Sequence, residues 1–322
     1  MADTPLRVGL VGAGSIAQVA QLPALAANPD AVIAGVVTAT EESARRNLER
    51  WPIERAYDSA ERMIDEADLD ALFVLTPKHD HVRFVEAGMR EGLDVFCEKP
   101  LASTTEEAQE LADLADELDR RLMVGFNRRY AEVYAAAREQ FGEEGASFCV
   151  AQKNRPGSEY RATLENAIHM IDLLRWFCGE AEEVHAHAQG SDPYQEDGTL
   201  ALIRFASGAV GALVAARNAG EWDERLDAYG GLCSARVSAP DSVAISRSGE
   251  TRMIEVRPRA FGWAQVNVTM GFGPSVDHFL KCVRTVQRPF TDGQEATRTQ
   301  RLADWVLREA GLPLSDRPLR AP

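Results

Sequence analysis

The sequence predicts an α/β protein with an N-terminal doubly wound parallel sheet and a C-terminal α+β domain that holds a large, mostly antiparallel sheet. Up to about Val124, short apolar segments alternate with helix-compatible segments, which is typical of βαβ units. After Tyr130 and a helix to about Phe141, closely spaced strand-like segments joined by turn signals replace that alternation. We therefore predict two domains, residues 1–124 and 125–322.

The first strand and the turn that follows it form a dinucleotide-binding pattern. Leu6–Val11 is a short apolar strand, and the sequence GAGSIA comes next, ahead of a helix-compatible stretch. In this pattern Gly12 permits a tight turn, Gly14 lets the backbone approach a pyrophosphate, and Ala17 lets helix and strand pack closely. The unit continues into the strand Ala31–Val37, so the context favours a dinucleotide over a purely structural turn.

The remaining elements of the first domain follow from apolar runs and helix caps. The predicted strands are Ala71–Leu75, Val95–Cys97 and Arg121–Phe126, and the predicted helices are Asp80–Arg90 and Thr104–Asp119. The second helix begins at a TTEE capping box.

Lys99 stands at the end of one of these strands. The chain has four lysines, Lys78, Lys99, Lys153 and Lys281, within a total of 35 Lys and Arg residues. Pro100 ends the extended segment, because proline cannot donate to a strand ladder and disfavours helix in the residue before it. In a doubly wound sheet, the carboxyl ends of the strands are where ligands bind. A scarce, titratable cation is therefore predicted at the ligand-binding edge, with a solvated loop lysine as the alternative.

The second domain is predicted from eight strands and two closing helices. The strands are Ser147–Gln152, Val184–Gln189, Thr199–Phe205, Val210–Ala216, Arg225–Tyr229, Ser234–Ser238, Val243–Ser246 and Met253–Val256, and the helices are Pro274–Thr285 and Glu295–Ala310. The last helix, over residues 295–310, is expected either to stay with this domain or to pack back on the first.

A further helix, Leu164–Phe177, interrupts the strands of the second domain. It is apolar over most of its circumference, which predicts burial. Glu165, His169 and Asp172 are spaced i, i+4, i+7 and would form one polar stripe on it. Burying these groups without partners is costly, so the stripe is expected to face either a compensating network or a polar cavity.

Composition excludes several function classes. With 45% hydrophobic and 26% charged residues, the 322-residue chain can bury the cores of about two domains. A net charge of −15 disfavours nucleic acid and anionic membranes, and no apolar run reaches the roughly 18 residues of a membrane span. The five cysteines are widely spaced without a C-x-x-C pair, so neither a disulfide framework nor a metal site is indicated. We expect a cytoplasmic protein with no membrane, nucleic-acid or metal partner.

Taken together, these motifs resemble the Gfo/Idh/MocA family of oxidoreductases, which is named for glucose-fructose oxidoreductase, inositol dehydrogenase and rhizopine catabolism. The resemblance extends over the whole chain. It is carried by the glycine loop, by TP at 76–77 followed by His81, by EKP at 98–100, by GFNRRY at 125–130 and by His169-x-x-Asp172. It implies a Rossmann domain, a sheet domain that often forms the oligomer interface, and NAD(P)-dependent oxidation or reduction of sugars, polyols and related alcohols.

The resemblance also implies site residues. The catalytic set would be Lys99, His169 and Glu165, and the substrate-binding set would be Asp172, Arg128 and Tyr130. The cofactor-binding set would be Gly12, Gly14, Ser15, Ile16, Ala17, Thr38, Thr76, Pro77, His81, Glu98, Lys99 and Pro100. The Lys99–Pro100 peptide is expected to be cis. Partners would be a small sugar or polyol and a second or further copies of the chain, in a homo-dimer or homo-tetramer formed through the C-terminal sheet.

The chain departs from the family pattern at two positions that bear on chemistry. Glu165 stands where the family often has aspartate, which leaves the orientation of His169 open. Thr38 stands where many NAD-specific members have the aspartate that binds the ribose diol, so repulsion of a 2′-phosphate is relieved. Arg45 and Arg46 either neutralise that phosphate or form a solvated helix face. The cofactor is expected to be NAD(P), with NADP slightly favoured.

Two classes of function are weighed on this basis, and the presence of Lys99, His169 and Asp172 favours the enzyme, for which aldehyde or imine reduction also stays open. The first is reversible hydride transfer between nicotinamide and a secondary alcohol, in which His169 takes the hydroxyl proton and Lys99 stabilises the oxygen, or the two exchange roles. The alternative is a catalytically silent dinucleotide-binding sensor on the same fold, since fold alone does not establish activity.

Overall fold

The computed structural model describes residues 4–157, 161–256 and 266–315, and within these ranges it contains two compact units. The first unit holds the described residues up to Asn127 together with those from Val266 to Thr297, and the second holds the rest. No helix in these ranges is both long and apolar enough to cross a bilayer.

The N-terminal part of the chain alternates strand and helix, as the sequence predicts. Its strands are β1 (Leu6–Val11), β2 (Ala31–Val37), β3 (Ala56–Tyr57), β4 (Ala71–Val74), β5 (Asp94–Cys97) and β6 (Leu122–Val124). Its helices are α1 (Ser15–Val19), α2 (Gln21–Ala27), α3 (Glu41–Arg50), α4 (Ala60–Glu66), α5 (His81–Arg90) and α6 (Thr105–Glu117). The six strands form one parallel sheet in the order β3-β2-β1-β4-β5-β6, which confirms the predicted doubly wound Rossmann sheet.

The helix predicted after the glycine loop is divided into α1 and α2. The break falls at Ala20, whose φ of −124° and ψ of −75° are not helical. Pro23 lies in the first turn of α2. A proline there cannot donate to the carbonyl of Val19, four residues earlier, and its ring clashes with that carbonyl, so a continuous helix is excluded.

The C-terminal part of the chain, within the described ranges, forms the second sheet and five further α-helices. Its helices are α7 (Glu132–Arg138), α8 (Ile168–Cys178), α9 (Val266–Thr269), α10 (Phe272–Thr285) and α11 (Gly293–Glu309). Its strands are β7 (Phe148–Pro156), β8 (Ala181–Gln189), β9 (Gly198–Phe205), β10 (Val210–Ala216), β11 (Asn218–Gly230), β12 (Cys233–Ser238), β13 (Ser242–Arg247) and β14 (Glu250–Glu255). All eight predicted strands are present, in the order β14-β13-β12-β11-β7-β10-β9-β8. Every pair is antiparallel except β7–β10, which confirms a mostly antiparallel sheet.

One face of the second sheet packs into a core and the other does not. On β9, Ala201, Ile203 and Phe205 are buried, while the alternating residues Leu200 and Leu202 are exposed. This alternation is the period of two expected for a half-buried strand. Helix α8 packs against β7 and β10, and α7 packs against β12 and β13.

The segment that contains α10 belongs to the first unit, whereas the sequence division assigned all residues after 125 to the second domain. Phe279 of α10 packs edge-on against Phe73 and Phe96 of the parallel sheet, with ring centroids 5.4 and 5.8 Å apart. Thr291 accepts a 2.8 Å hydrogen bond from the Val124 N–H and donates another of 2.8 Å to the Val124 carbonyl. These contacts explain why the chain returns to the first unit before α11, whose Leu302 and Val306 lie in the core of the second unit.

Candidate active site

The glycine loop follows β1 and lies against the end of β4. Gly12 has φ of +92°, and a Cβ there would come within 2.8 Å of the Leu75 carbonyl and 2.9 Å of the Thr76 nitrogen. Only glycine fits this position, because both the dihedral angle and the close backbone exclude a side chain. Ala17 is buried at the helix–strand contact, whereas Ser15 and Ile16 are exposed at the start of α1.

The residues around this loop fit a dinucleotide. A Cβ placed on Gly14 would meet no atom within 4 Å, so the backbone there borders open space. Beside the loop, the Thr76 hydroxyl is buried with no hydrogen-bond partner among the residues that the structure describes. An unsatisfied buried hydroxyl calls for a polar ligand. Pro77, the next residue, is exposed.

Lys99 lies just beyond the carboxyl end of β5, and the backbone around it is held by a carboxylate. Glu98 accepts a 3.2 Å hydrogen bond from the Lys99 N–H and another from the side-chain amide of Gln21. A Cβ on Gly125 would lie 3.2 Å from Glu98 Oε1, so glycine leaves the space that the carboxylate fills. The Lys99–Pro100 peptide is cis, as predicted, and the lysine side chain is half-buried.

His81 is the first residue of α5 and is buried. Its Nε2 lies 2.8 Å from the Thr76 carbonyl oxygen, and its Nδ1 lies 2.8 Å from the Pro100 carbonyl oxygen. Burial lowers the pKa of His81, and the hydrogen bonds to backbone carbonyls only partly oppose that change. Both ring nitrogens thus face backbone oxygens, one at Thr76 and one at Pro100, the residue after Lys99.

His169 lies in the second unit, on the first turn of α8, and is buried together with Asp172. The predicted single helix Leu164–Phe177 is wrong at its start, because residues Ala162–Asn166 form a π-helical turn before α8 begins. In that turn Asn166 and Ala167 donate to the carbonyls five residues earlier. The stripe of Glu165, His169 and Asp172 is therefore not a regular i, i+4, i+7 row. Glu165 Oε2 accepts a 3.1 Å hydrogen bond from the Arg161 N–H.

A side-chain contact accounts for the π turn. The N–H of Thr163 donates to the Glu196 carboxylate at 2.9 Å, and the Thr163 hydroxyl lies 2.6 Å from that of Thr199 on β9. Arg161 adds a contact to the same Glu196 at 3.4 Å. The turn is thereby tied to Glu196 and to Thr199 on the neighbouring strand. Such insertions occur often at functional sites.

Asp172 forms a buried ion pair with Arg129. The Arg129 guanidinium donates to both carboxylate oxygens, at 2.9 and 2.7 Å, and the Thr299 hydroxyl donates to one of them at 3.0 Å. A carboxylate offers about four acceptor positions, so these bonds leave roughly one for another donor. The resemblance implied that Asp172 binds substrate hydroxyls, and any such hydrogen bond would use the remaining acceptor position of the carboxylate.

Arg128 pairs with a residue that the sequence analysis did not single out, Glu224 on β11. Its guanidinium donates to both Glu224 oxygens at 3.0 Å, Tyr134 donates its hydroxyl at 2.9 Å, and Lys153 Nζ lies 3.3 Å away. Burial opposes ionisation of Glu224, but the charges of Arg128 and Lys153 outweigh it and lower its pKa to about 2. Arg128 is thus committed to a buried network, while Tyr130, which ends the turn Asn127–Tyr130, is half-buried.

The signal for this network was present in the sequence as a period of two. Glu224 lies two and four residues before the apolar Leu226 and Ala228, and Lys153 lies two and four residues after Ala151 and Cys149. Residues two apart share one face of a strand, so both charges fall on the core-facing side. Charged residues at core-facing positions of neighbouring strands predict an ion pair. Arg129, the partner of Asp172, is the residue next to Arg128 in the sequence. No sequence pattern distinguishes the roles of these two arginines.

Thr38 lies at the carboxyl end of β2, where the cofactor ribose is expected. Its hydroxyl donates to the Thr40 carbonyl at 2.9 Å, and Thr40 in turn caps α3. On α3, Arg45 pairs with Glu49 and Arg46 pairs with Glu42, and all four side chains are exposed. Exposed pairs of this kind contribute little and can rearrange.

Two family profiles match most of the chain. Residues 6–126 match the oxidoreductase family with an NAD-binding Rossmann fold, and residues 129–236 match the GFO/IDH/MocA C-terminal domain. The matches follow the same order as the parallel sheet and the mixed sheet described above.

Similarity to known proteins extends over nearly the whole chain. The inositol 2-dehydrogenase of Rhizobium meliloti is 26% identical over 330 residues, covering 94% of this chain and 96% of that protein. The levoglucosan dehydrogenase of Pseudarthrobacter phenanthrenivorans is 28% identical, covering 66% of this chain and 68% of that protein. An oxidoreductase structure from Agrobacterium radiobacter in complex with NAD+, L-tartaric acid and magnesium shares the fold with a TM-score of 0.86 at 19% identity, covering 96% and 97% of the two chains. Enzymatic function, which the sequence favoured over a silent sensor, is thereby confirmed, and the chain belongs to the Gfo/Idh/MocA family of NAD-binding oxidoreductases.

Proposed function

We propose that this chain is an NAD(P)-dependent dehydrogenase or reductase that acts on a secondary alcohol or the corresponding carbonyl of a sugar, polyol or inositol-like substrate. The observation that carries the proposal is the position of Lys99. It follows β5 at the ligand-binding edge of the parallel sheet, and Glu98 holds its backbone. The inositol and levoglucosan dehydrogenases among the relatives support the substrate class.

The dinucleotide would be held by the first unit. The residues proposed for it are Gly12, Gly14, Ser15, Ile16, Ala17, Thr38, Thr76, Pro77 and the segment Glu98–Pro100. When bound, nicotinamide supplies the carbon that accepts or gives the hydride. The buried Thr76 hydroxyl gives the site a polar group that lacks a protein partner within the described ranges, and Gly14 leaves room for phosphate against the backbone.

Proton handling is assigned to Lys99 and His169. A histidine titrates near neutral pH and is suited to accept the hydroxyl proton, while the Lys99 ammonium would donate a hydrogen bond to the same oxygen and stabilise its negative charge. Coupled groups can exchange these roles, so the pair is treated as one titrating unit. Glu165, fixed by the Arg161 N–H, is proposed to orient His169.

Substrate hydroxyls are assigned to Asp172, Arg128 and Tyr130. Arg129 and Thr299 hold the Asp172 carboxylate, and Glu224 holds the Arg128 guanidinium, so both groups are preorganised. Fixed donors and acceptors lower the entropic cost of placing the reacting carbon. These residues belong to the second unit.

Two further properties are proposed. NADP(H) would bind at least as tightly as NAD(H), because the position after β2 carries Thr38 rather than a carboxylate. The chain would work in the cytoplasm as a homo-oligomer. A reducing compartment suits its five cysteines, all of which are free and buried.

Removal of either proton-handling side chain tests the mechanism. We expect Lys99→Ala and His169→Ala each to lower kcat/KM by about 10²-fold or more with a polyol such as myo-inositol, because general acid–base help is worth that much. Dinucleotide affinity should change little, since neither side chain is assigned to the phosphates. The measurement is initial rates of NADPH or NADH formation beside fluorescence titration of each cofactor.

The double variant and two controls sharpen this test. Residues that act as a unit lose most of their effect with the first deletion, so the double variant should be far less than additive. Lys281→Ala and His185→Ala remove exposed residues of the same types and should leave turnover unchanged. Undiminished turnover in His169→Ala would refute the mechanism, and tight cofactor binding with no turnover of any polyol or aldose by the unaltered chain would refute the proposed substrate class.

A further inference from the structure

His81 connects the two loops that follow β4 and β5. We propose that His81 is a positioning residue, which holds Lys99 in place by tying the backbone at Thr76 to the backbone at Pro100 through both ring nitrogens. The inference rests on the proposed function for the role of Lys99, but not for the contacts themselves. It replaces the direct cofactor contact that the resemblance implied for this histidine.

The connection made by His81 begins where the hydrogen-bond ladder between β4 and β5 ends. The two strands pair in parallel up to Val74 and Cys97, and the Glu98 N–H donates to the Val74 carbonyl at 3.0 Å. Beyond the strands, the imidazole lies between the carbonyl oxygens of Thr76, two residues after β4, and Pro100, three residues after β5, at 2.8 Å from each. The side chain therefore continues the connection between the strands at the point where the residues with proposed chemistry emerge.

Burial makes this connection stiff and keeps the ring away from a ligand. The residue is 1% exposed. Both nitrogens are within hydrogen-bond distance of backbone oxygens, so neither is left to contact a cofactor. Lys99 is the residue immediately before Pro100, and its own N–H is held by Glu98 on the other side. Lys99 thus has a fixed backbone on both flanks, which is what precise placement of its ammonium requires.

The two carbonyl partners also decide in which protonation state His81 can form both hydrogen bonds. A neutral imidazole has one N–H donor and one acceptor nitrogen, whereas the imidazolium has two donors. Carbonyl oxygens can only accept, so both contacts are satisfied together by the imidazolium alone. Burial is the largest influence and lowers the pKa of the ring, and the backbone carbonyls and the neighbouring Asp80 only partly oppose it. The neutral ring therefore donates one hydrogen bond and lies beside the other carbonyl oxygen, and protonation adds the second hydrogen bond.

The four lysines of the chain make a direct test possible. Lysine labelled with 13C at Cε gives one NMR signal from each of Lys78, Lys99, Lys153 and Lys281, and Lys99→Arg assigns the signal of interest. We expect His81→Phe, which keeps a flat ring but removes both hydrogen bonds, to shift the Lys99 signal and its titration. His81→Gln, which keeps a single donor and a single acceptor, should shift it less. His79→Phe is the matched control, since His79 is 71% exposed on the turn before α5.

Turnover is the second measurement. With NADP+ and myo-inositol, kcat should fall by about 10- to 100-fold in His81→Phe, be partly restored in His81→Gln, and stay unchanged in His79→Phe. The NMR signal can be measured without turnover. An unaltered chain that oxidises no polyol would therefore count against the proposed function, while the Lys99 signal would still test the positioning role of His81. If His81→Phe does not fold, His81→Gln decides. A Lys99 signal and titration that stay at their unaltered values in the folded His81 variants would overturn the proposal.

Discussion

Thr38 is a single residue on which the choice of cofactor is expected to depend. Its hydroxyl is bound to the Thr40 carbonyl, and no acid replaces it at the end of β2. We predict that Thr38→Asp shifts preference toward NAD(H), because a carboxylate would repel the 2′-phosphate and accept from the ribose diol. The measurement is the ratio of the NADP(H) and NAD(H) dissociation constants for the unaltered chain and the variant, at one ionic strength because charge repulsion is screened by salt.

Thr38→Asn is the control for this change, since it has nearly the shape of aspartate without the charge. It should leave the ratio close to that of the unaltered chain. An unaltered chain that clearly prefers NAD(H) would contradict the prediction. Arg45 and Arg46 would then keep the glutamate partners on α3 that the structure gives them.

Single residues were predictable from the sequence where their chemistry coincided with a backbone constraint. Lys99 could be found because Pro100 marks the end of a strand, and Gly12 because its turn needs positive φ. The role of His81 could not, because its partners are backbone carbonyls, and a carbonyl leaves no trace in the identity of a residue. The same applies to Gly125, whose space is filled by the Glu98 side chain only in the folded sheet.

The ion pair between β7 and β11 is the feature for which an effect on stability can be predicted. Glu224 has a pKa of about 2 in the folded chain, against an ordinary value of 4.5. A depressed pKa means that ionised Glu224 favours the folded state above pH 4.5, and that this contribution is lost as pH falls toward 2. At about 1.4 kcal/mol per pKa unit, the contribution is of the order of 3 kcal/mol.

Glu224→Gln should therefore lower the free energy of unfolding by about 3 kcal/mol at pH 7, since it leaves Arg128 and Lys153 buried without their countercharge. The difference between the two proteins should shrink below pH 4.5 and nearly vanish at about pH 2. Urea unfolding followed by circular dichroism across this pH range measures it. Glu183→Gln, which breaks the exposed pair between Glu183 on β8 and Arg204 on β9, should have little effect. A difference that does not change with pH would show that packing, rather than charge, holds the pair.

Elements were predictable where a local period decides the structure. Except for the two-residue edge strand β3, the strands of both sheets follow from alternation or from continuous apolar runs, which depend on a few adjacent residues. The π turn at 162–166 was missed because its cause is distant in sequence. Thr163 is bound by Glu196 and Thr199, more than 30 residues later, and these contacts override the helical pattern of the segment.

At the scale of the whole chain, the two-sheet organisation was predictable, but the path of the C-terminal segment was not. Alternating strands and helices predict a parallel sheet, and closely spaced strands joined by short turns predict an antiparallel one. Helix α10 looks like any amphipathic helix, and its place beside the parallel sheet depends on the fit of Phe279 against two other phenylalanine rings. Shape complementarity of this kind is not visible in a hydrophobic pattern.

The outer face of the second sheet is where we expect copies of the chain to associate. Phe148 on β7, Leu200 and Leu202 on β9 and Val210 on β10 are between 38 and 55% exposed there. These strands are neighbours, and Val210 is paired directly with Phe148. Exposed apolar side chains on neighbouring strands favour an interaction surface, and a face that serves two copies equally favours a twofold homo-dimer.

We predict that the unaltered chain sediments as a dimer or tetramer at micromolar concentration, and that Leu200→Glu with Leu202→Glu converts it to monomers, because two carboxylates would be buried without partners in the interface. Sedimentation velocity over a range of concentrations is the measurement. Leu232→Glu is the control: Leu232 is 95% exposed, but it lies in the turn between β11 and β12 rather than within a strand. It should leave the assembly intact. A monomeric unaltered chain, or an oligomer that persists in the double variant, would rule out this face as the interface.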